Sequence, residues 1–308
     1  MEYLNPFTRL NLNLAEFSPE GHKESLKLEK KRLLAEFELH NTNTIELGGK
    51  MLDKATVLQL FDELEDAELA NMHLRIHQLP SLMAFLEDST LEYFFSGDVA
   101  LLSSESSAFQ KYIGPYFAEQ YNKRLFHAFR QLDWEEVKMM CAHPLAIPTE
   151  FHAACYKDTY RDIHSKSREV SQVASKISEG QAPGAEIQEV CDEMLILTLN
   201  HLPEYFGGSR DKYGLALEEL AVAVHNVHRR VKLGIFILRQ GLKLNISQST
   251  TARLTHILDQ LKELAPAESF LESWTADNSG KNNNAKPWWF VVGGAAVVYL
   301  ILKTLGIF

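Results

Sequence analysis

The chain has 308 residues, 45 % of them hydrophobic and 23 % charged, enough apolar material for a folded core and for about two domains of ordinary size. Lys and Arg number 31 against 41 Asp and Glu, a net charge of −10, which repels phosphate backbones and anionic headgroups and so disfavours nucleic-acid binding and attachment through a polybasic surface. Cys141, Cys155 and Cys191 are odd in number, widely spaced and without a CxxC pair. They read as reduced, buried thiols of a cytosolic body rather than a disulfide framework.

Met1-Glu2-Tyr3-Leu4-Asn5-Pro6 carries neither a basic nor an apolar signal region, so no cleaved signal peptide is expected. Ser18-Pro19 is a helix start, and the predicted helix runs to His40 with Leu26, Leu33, Leu34 and Phe37 as its apolar stripe. Asn41-Thr42-Asn43-Thr44 breaks it. Thr44-Ile45-Glu46-Leu47 and Lys50-Met51-Leu52 around Gly48-Gly49 predict a small β-hairpin, the one convincing strand signal. Asp53 caps the next predicted helix, in which Val57, Leu60, Phe61 and Leu64 recur at helical spacing. A second follows with Leu69, Met72, His73 and Ile76 on one face, ended by Pro80. A short helix holding Leu82, Phe85 and Leu86 closes a first module, residues 1–90.

Residues 91–180 read as an aromatic-rich helical region. Phe94, Phe95, Phe109, Tyr112, Tyr116, Phe117, Tyr121, Phe126, Phe129 and Trp134 are expected in its packing. Asp133 with Glu136 has the form of a capping box, Pro144 and Pro148 mark a break, and a long polar helix spans Thr149 to Ser178. Gly180-Gln181-Ala182-Pro183-Gly184 is the clearest internal linker. Residues 181–275 read as four helices with breaks at 203–208, near Arg230 and at Asn245. Their apolar sets are Leu215, Leu217, Leu220, Val222, Val224 and Val227; Leu233, Phe236, Ile237 and Leu244; and Leu254, Ile257, Leu258 and Leu261. Consecutive amphipathic helices on short turns predict an antiparallel helical array, although no strict 34-residue period is present. The expected fold class is all-α, with one small hairpin near the N-terminus and a C-terminal transmembrane helix.

The Asn-rich, polar stretch 276–287 reads as a flexible tether. Beyond it Trp288, Trp289, Phe290, Val291, Val292, Gly293, Gly294, Ala295, Ala296, Val297, Val298, Tyr299, Leu300, Ile301 and Leu302 run without a charge. Counted to Phe308 the segment is about 30 Å long as a helix, the thickness of a bilayer's hydrocarbon core. Lys303 lies near the far end, where its stem can snorkel, and the two tryptophans sit where amphipathic rings favour the interface. A single-pass tail anchor at 288–308 is expected, with the lipid bilayer as its partner. Lys281 and Lys286 on the near side place the body in the cytoplasm by the positive-inside tendency. The small-residue patch Gly293-Gly294-Ala295-Ala296 permits close helix–helix contact and hence a homo-oligomer.

Two segments resemble known families. Asn5-Pro6-Phe7-Thr8-Arg9-Leu10-Asn11-Leu12, followed by a helix of mixed charge and a helix ending Phe61-Asp62-Glu63-Leu64-Glu65-Asp66, resembles a degenerate J domain. J domains stimulate an ATP-driven chaperone through a His-Pro-Asp motif between their second and third helices. His40-Asn41-Thr42 occupies that place here without the proline or aspartate, so the resemblance implies a module without the chaperone-stimulating motif. Leu215 to Leu264, with Ala221-Val222-Ala223-Val224-His225-Asn226, resembles the helical-array region that follows J-like modules in some bacterial proteins of unknown function.

Chemical motifs are few. His73 and His77 are spaced i, i+4, which places two imidazoles on one helix face, but no HExxH is present and a structural role is expected. His225 and His228 are flanked by Arg229 and Arg230, which repel a cation. The glycine pairs lack phosphate-loop spacing, no GxSxG elbow appears, and Cys141-Ala142-His143 is not a catalytic pair. No catalytic residue, metal ligand or cofactor is therefore expected. The sequence points to a non-enzymatic, membrane-anchored scaffold or adaptor that binds an unknown protein partner. A membrane-perturbing effector and a divergent co-chaperone are the alternatives.

Overall fold

The computed structural model describes residues 3–12, 21 and 23–278, with side chains as far as residue 264. It is mostly helical with two short strands in a hairpin. In chain order the elements are α1 (Pro6–Arg9), α2 (Lys23–His40), β1 (Thr44–Leu47), β2 (Lys50–Asp53), α3 (Lys54–Glu65), α4 (Ala67–His77), α5 (Pro80–Asp88), α6 (Glu92–Phe95), α7 (Asp98–Ser104), α8 (Ser107–Arg130), α9 (Trp134–Cys141), α10 (His152–Ser178), α11 (Glu186–Val190), α12 (Glu193–His201), α13 (Gly207–His228), α14 (Val231–Gly241) and α15 (Gln248–Asn278). The described residues up to Leu258 form one compact unit, and a second begins at Asp259. The described part of the second is the continuation of α15.

Local chemistry accounts for most of the boundaries. Asp53 accepts the amide of Thr56 at 2.7 Å to start α3, Ser106 accepts that of Phe109 at 3.2 Å to start α8, and Asp133 accepts that of Glu136 at 3.0 Å to start α9. These caps satisfy amides that the first turn of a helix leaves without a partner. Glu136 does not reach back as a capping box would; its carboxylate pairs with Arg124 at 2.6 Å instead. In the hairpin Thr44 pairs with Asp53 and Leu47 with Lys50, and Gly48 and Gly49 both have positive φ, as a two-residue turn demands. Pro80 does not end α4, which stops at His77. It opens α5, where its missing N–H costs nothing.

Phe7, Leu26, Leu33, Phe37, Leu52, Val57, Leu60, Phe61 and Leu64 form the N-terminal part of the core. Further along, α8 packs on α5 and α10, α10 on α13, and α13 on α14, while α9 packs on α8 and α12. The expected boundaries near 90 and 180 both fall inside the first compact unit, and the 180–184 linker joins helices that pack together. Three expected core residues face solvent. Phe95 is 75 % exposed, because the four-residue α6 turns Tyr93 inward instead; Val227 and Phe236 are each 40 % exposed.

Candidate functional site

His73 is 1 % exposed and joins a buried polar cluster. Its Nδ1 lies 3.0 Å from the Tyr3 hydroxyl, and its Nε2 lies 3.0 Å from Glu63 Oε2 and 2.9 Å from the Tyr112 hydroxyl. Asn5 donates from Nδ2 to the Tyr3 oxygen and to the His73 carbonyl, both at 3.2 Å. Both ring nitrogens of His73 are thus engaged, Nδ1 by a phenol and Nε2 by a carboxylate and a second phenol. Burial opposes the charge of Glu63, but hydrogen bonds from His73 and from Gln59 outweigh it and hold the carboxylate below its usual range. Burial raises the phenols of Tyr3, Tyr112 and Tyr116 above theirs.

A carboxylate–imidazole–phenol chain is the chemistry of a proton relay, yet Tyr3 is 1 % exposed and its ring stacks on His73. The cluster ties the N-terminal segment to α4 and α8. The same segment is anchored again by Arg9, which donates to the carbonyl of Gly48 and pairs with Glu87 at 2.6 Å, both side chains being buried. Asn5, in the stretch that resembles a J domain, caps α1 by accepting the amides of Phe7 and Thr8. His40 ends α2, exposed, ahead of the hairpin.

The paired histidines serve different ends. His73 spends both nitrogens inside the cluster, whereas Nδ1 of His77 is buried without a hydrogen-bond partner. His228 bonds the carbonyl of Gln181 at 2.7 Å. Among the described residues no group of three His, Cys, Asp or Glu could hold a metal ion.

A different surface presents its chemistry outward. Tyr160 of α10 is 39 % exposed and Tyr205, in the turn before α13, is 48 % exposed; their ring centroids are 6.2 Å apart. Buried Tyr156 and Phe206 support them, with Tyr205 lying 4.8 Å from Tyr156 and 5.3 Å from Phe206. The His164 ring stands 4.4 Å from Tyr160. Burial, then the charges of Lys212 and Arg168, lower the pKa of His164. Lys157, Tyr160, Arg161, His164 and Arg168 recur at helical spacing along one face. The helix that carries them has five Lys or Arg against three Asp or Glu, in a chain of net charge −10. The result is an aromatic shelf with a margin of more cations than anions, in which Asp158 pairs with Arg161 at 3.5 Å and Glu204 adjoins Tyr205. Sequence reading missed it because Tyr205 meets α10 only through the packing of the 204–206 turn.

Fold and surface together define a mostly helical body with one N-terminal hairpin. No family model matches the chain, nor does any curated protein or solved structure. The expected anchor, Trp288 to Leu302, lies outside the described residues; among the described residues no helix is long and apolar enough to cross a membrane.

Proposed function

We propose that this chain is a non-enzymatic adaptor, held to a membrane by residues 288–308, whose helical array takes an acidic segment of a protein partner on the α10 shelf. The observation that carries the reading is the exposed pair Tyr160 and Tyr205, with Lys212 and Arg168 acting on His164, whose ring stands 4.4 Å from Tyr160. Rigid aromatic side chains with buried support are the usual anchors of protein interfaces. Cations at their margin favour an acidic partner and raise its rate of encounter. The uncharged run from Trp288 to Leu302 supports the membrane attachment.

The test uses the full-length chain in neutral detergent and a fluorescent glutamate–tyrosine copolymer as the probe. Binding is expected to weaken with salt. Tyr160→Ala with Tyr205→Ala, and separately Arg168→Glu with Lys212→Glu, should each weaken it about tenfold or more. Equal binding by the parent and both double variants, with unchanged circular dichroism, would remove the shelf from the proposal.

A further inference from the structure

A cleft of about 480 Å³ opens between the hairpin, α3 and α8, on the outer side of the His73 cluster. Thr56, Gln59, Leu60 and Glu63 of α3 line it at helical spacing, so the cleft follows one stripe of that helix. Among the described residues its charged lining is Asp53 at one end and Glu63 at the other, with no Lys or Arg. Nine residues of α3 lie between its cap Asp53 and Glu63, which sets the two carboxylates about 15 Å apart along the axis. The half-buried ring of Tyr116 forms a wall, and Leu4, Leu60 and Met51 supply apolar surface between the ends.

From this geometry we propose that the cleft binds an extended alkylammonium chain, with one ammonium group at Glu63 and a second toward Asp53. Glu63 suits the task because His73 and Gln59 fix both of its oxygens in place, and each keeps a lone pair for a further donor. An ammonium beside the Tyr116 ring gains from the ring's negative face, and the methylenes between the charges rest on Leu4, Leu60 and Met51. A neutral apolar ligand would take water from the remaining lone pairs of Glu63 and Asp53 and return nothing, which is unfavourable. Among the described residues a bare metal ion finds two carboxylates at a distance from each other, fewer ligands than such ions take. This inference does not rest on the adaptor reading.

The same chemistry is offered by a free linear polyamine and by lysine side chains of an extended peptide. Calorimetric titration of the full-length chain in neutral detergent distinguishes them, using spermine, butylamine and a glycine peptide with a lysine at each end. Spermine is expected to saturate and to bind about tenfold or more tighter than butylamine. Saturation by the peptide as well would identify a protein ligand as a second source; saturation by spermine alone would limit the site to free polyamines. Glu63→Gln should weaken spermine about tenfold. Because that change also touches His73, a second variant is needed. Met51→Lys sets an ammonium on a side chain that is 62 % exposed at the cleft and should weaken binding as much. Spermine bound no tighter than butylamine, or bound equally by the parent and Met51→Lys, would mean diffuse attraction to an acidic surface and would overturn the proposal.

Discussion

The Tyr3 hydroxyl lies 3.0 Å from Nδ1 of His73 although seventy residues of chain separate the two. Tyr3→Phe keeps the ring stack and removes only the hydroxyl, leaving the buried Nδ1 and an Asn5 hydrogen without that partner. An unmet buried polar group costs about 1–3 kcal/mol. Urea unfolding should show a lower midpoint with an unchanged slope. A midpoint equal to that of the parent would mean that the hydroxyl contributes nothing to stability.

The two glycines of the hairpin turn should respond differently to alanine. Both have positive φ, +52° at Gly48 and +76° at Gly49, so each substitution carries the left-handed cost of about 1–2 kcal/mol. Only at Gly48 would the new methyl meet backbone, Arg9 Cα and Thr8 O at 3.0 Å; at Gly49 it meets open space. Gly48→Ala should therefore be the more damaging by about 1 kcal/mol or more, read as the difference between the two thermal melts. Equal losses would show that the N-terminal segment is not held against the turn.

The three thiols should be slow to react in the native state. Burial pushes Cys141 up to about 11 and Cys155 and Cys191 up to about 12. A folded value above the unfolded one means that, past the unfolded value near 8.5, the folded chain holds more protons than the unfolded chain. This contribution is fully present below that value and is lost as pH rises to about 11–12. Labelling by a disulfide reagent at pH 8 should be slow in buffer and fast in urea, and stability should fall above pH 9. Rapid native labelling of all three would contradict the burial.

The proposed anchor has its own test. Full-length chain should resist alkaline carbonate, and Ala296→Lys, which puts a charge near the bilayer centre at about 2.5–3.5 kcal/mol, should move much of it to the soluble fraction. Lys303→Leu should strengthen insertion or change little. Equal retention of Ala296→Lys and the parent would mean that the segment does not span.

Much of the body could be read from the chain because the relevant forces are local. A carboxylate at an N-cap needs only the amides two and three residues on, so Asp53 and Asp133 mark their helices. Gly48-Gly49 specifies its turn because few other residues accept positive φ twice running. Val57, Leu60, Phe61 and Leu64 announce a buried stripe by spacing alone, and all four are buried. Tertiary structure decided the rest. Periodicity names a face but not what covers it, so it could not separate buried Tyr93 from exposed Phe95 in a helix of four residues. Nor does any local rule join Tyr3 to His73, Arg9 to Glu87, or Tyr205 to α10. Those pairings follow from which helices pack together, and helix packing is chosen by the shape and burial of whole faces. The candidate sites lie where such faces meet, at a shelf edge and in a cleft, and so they belong to the folded chain alone.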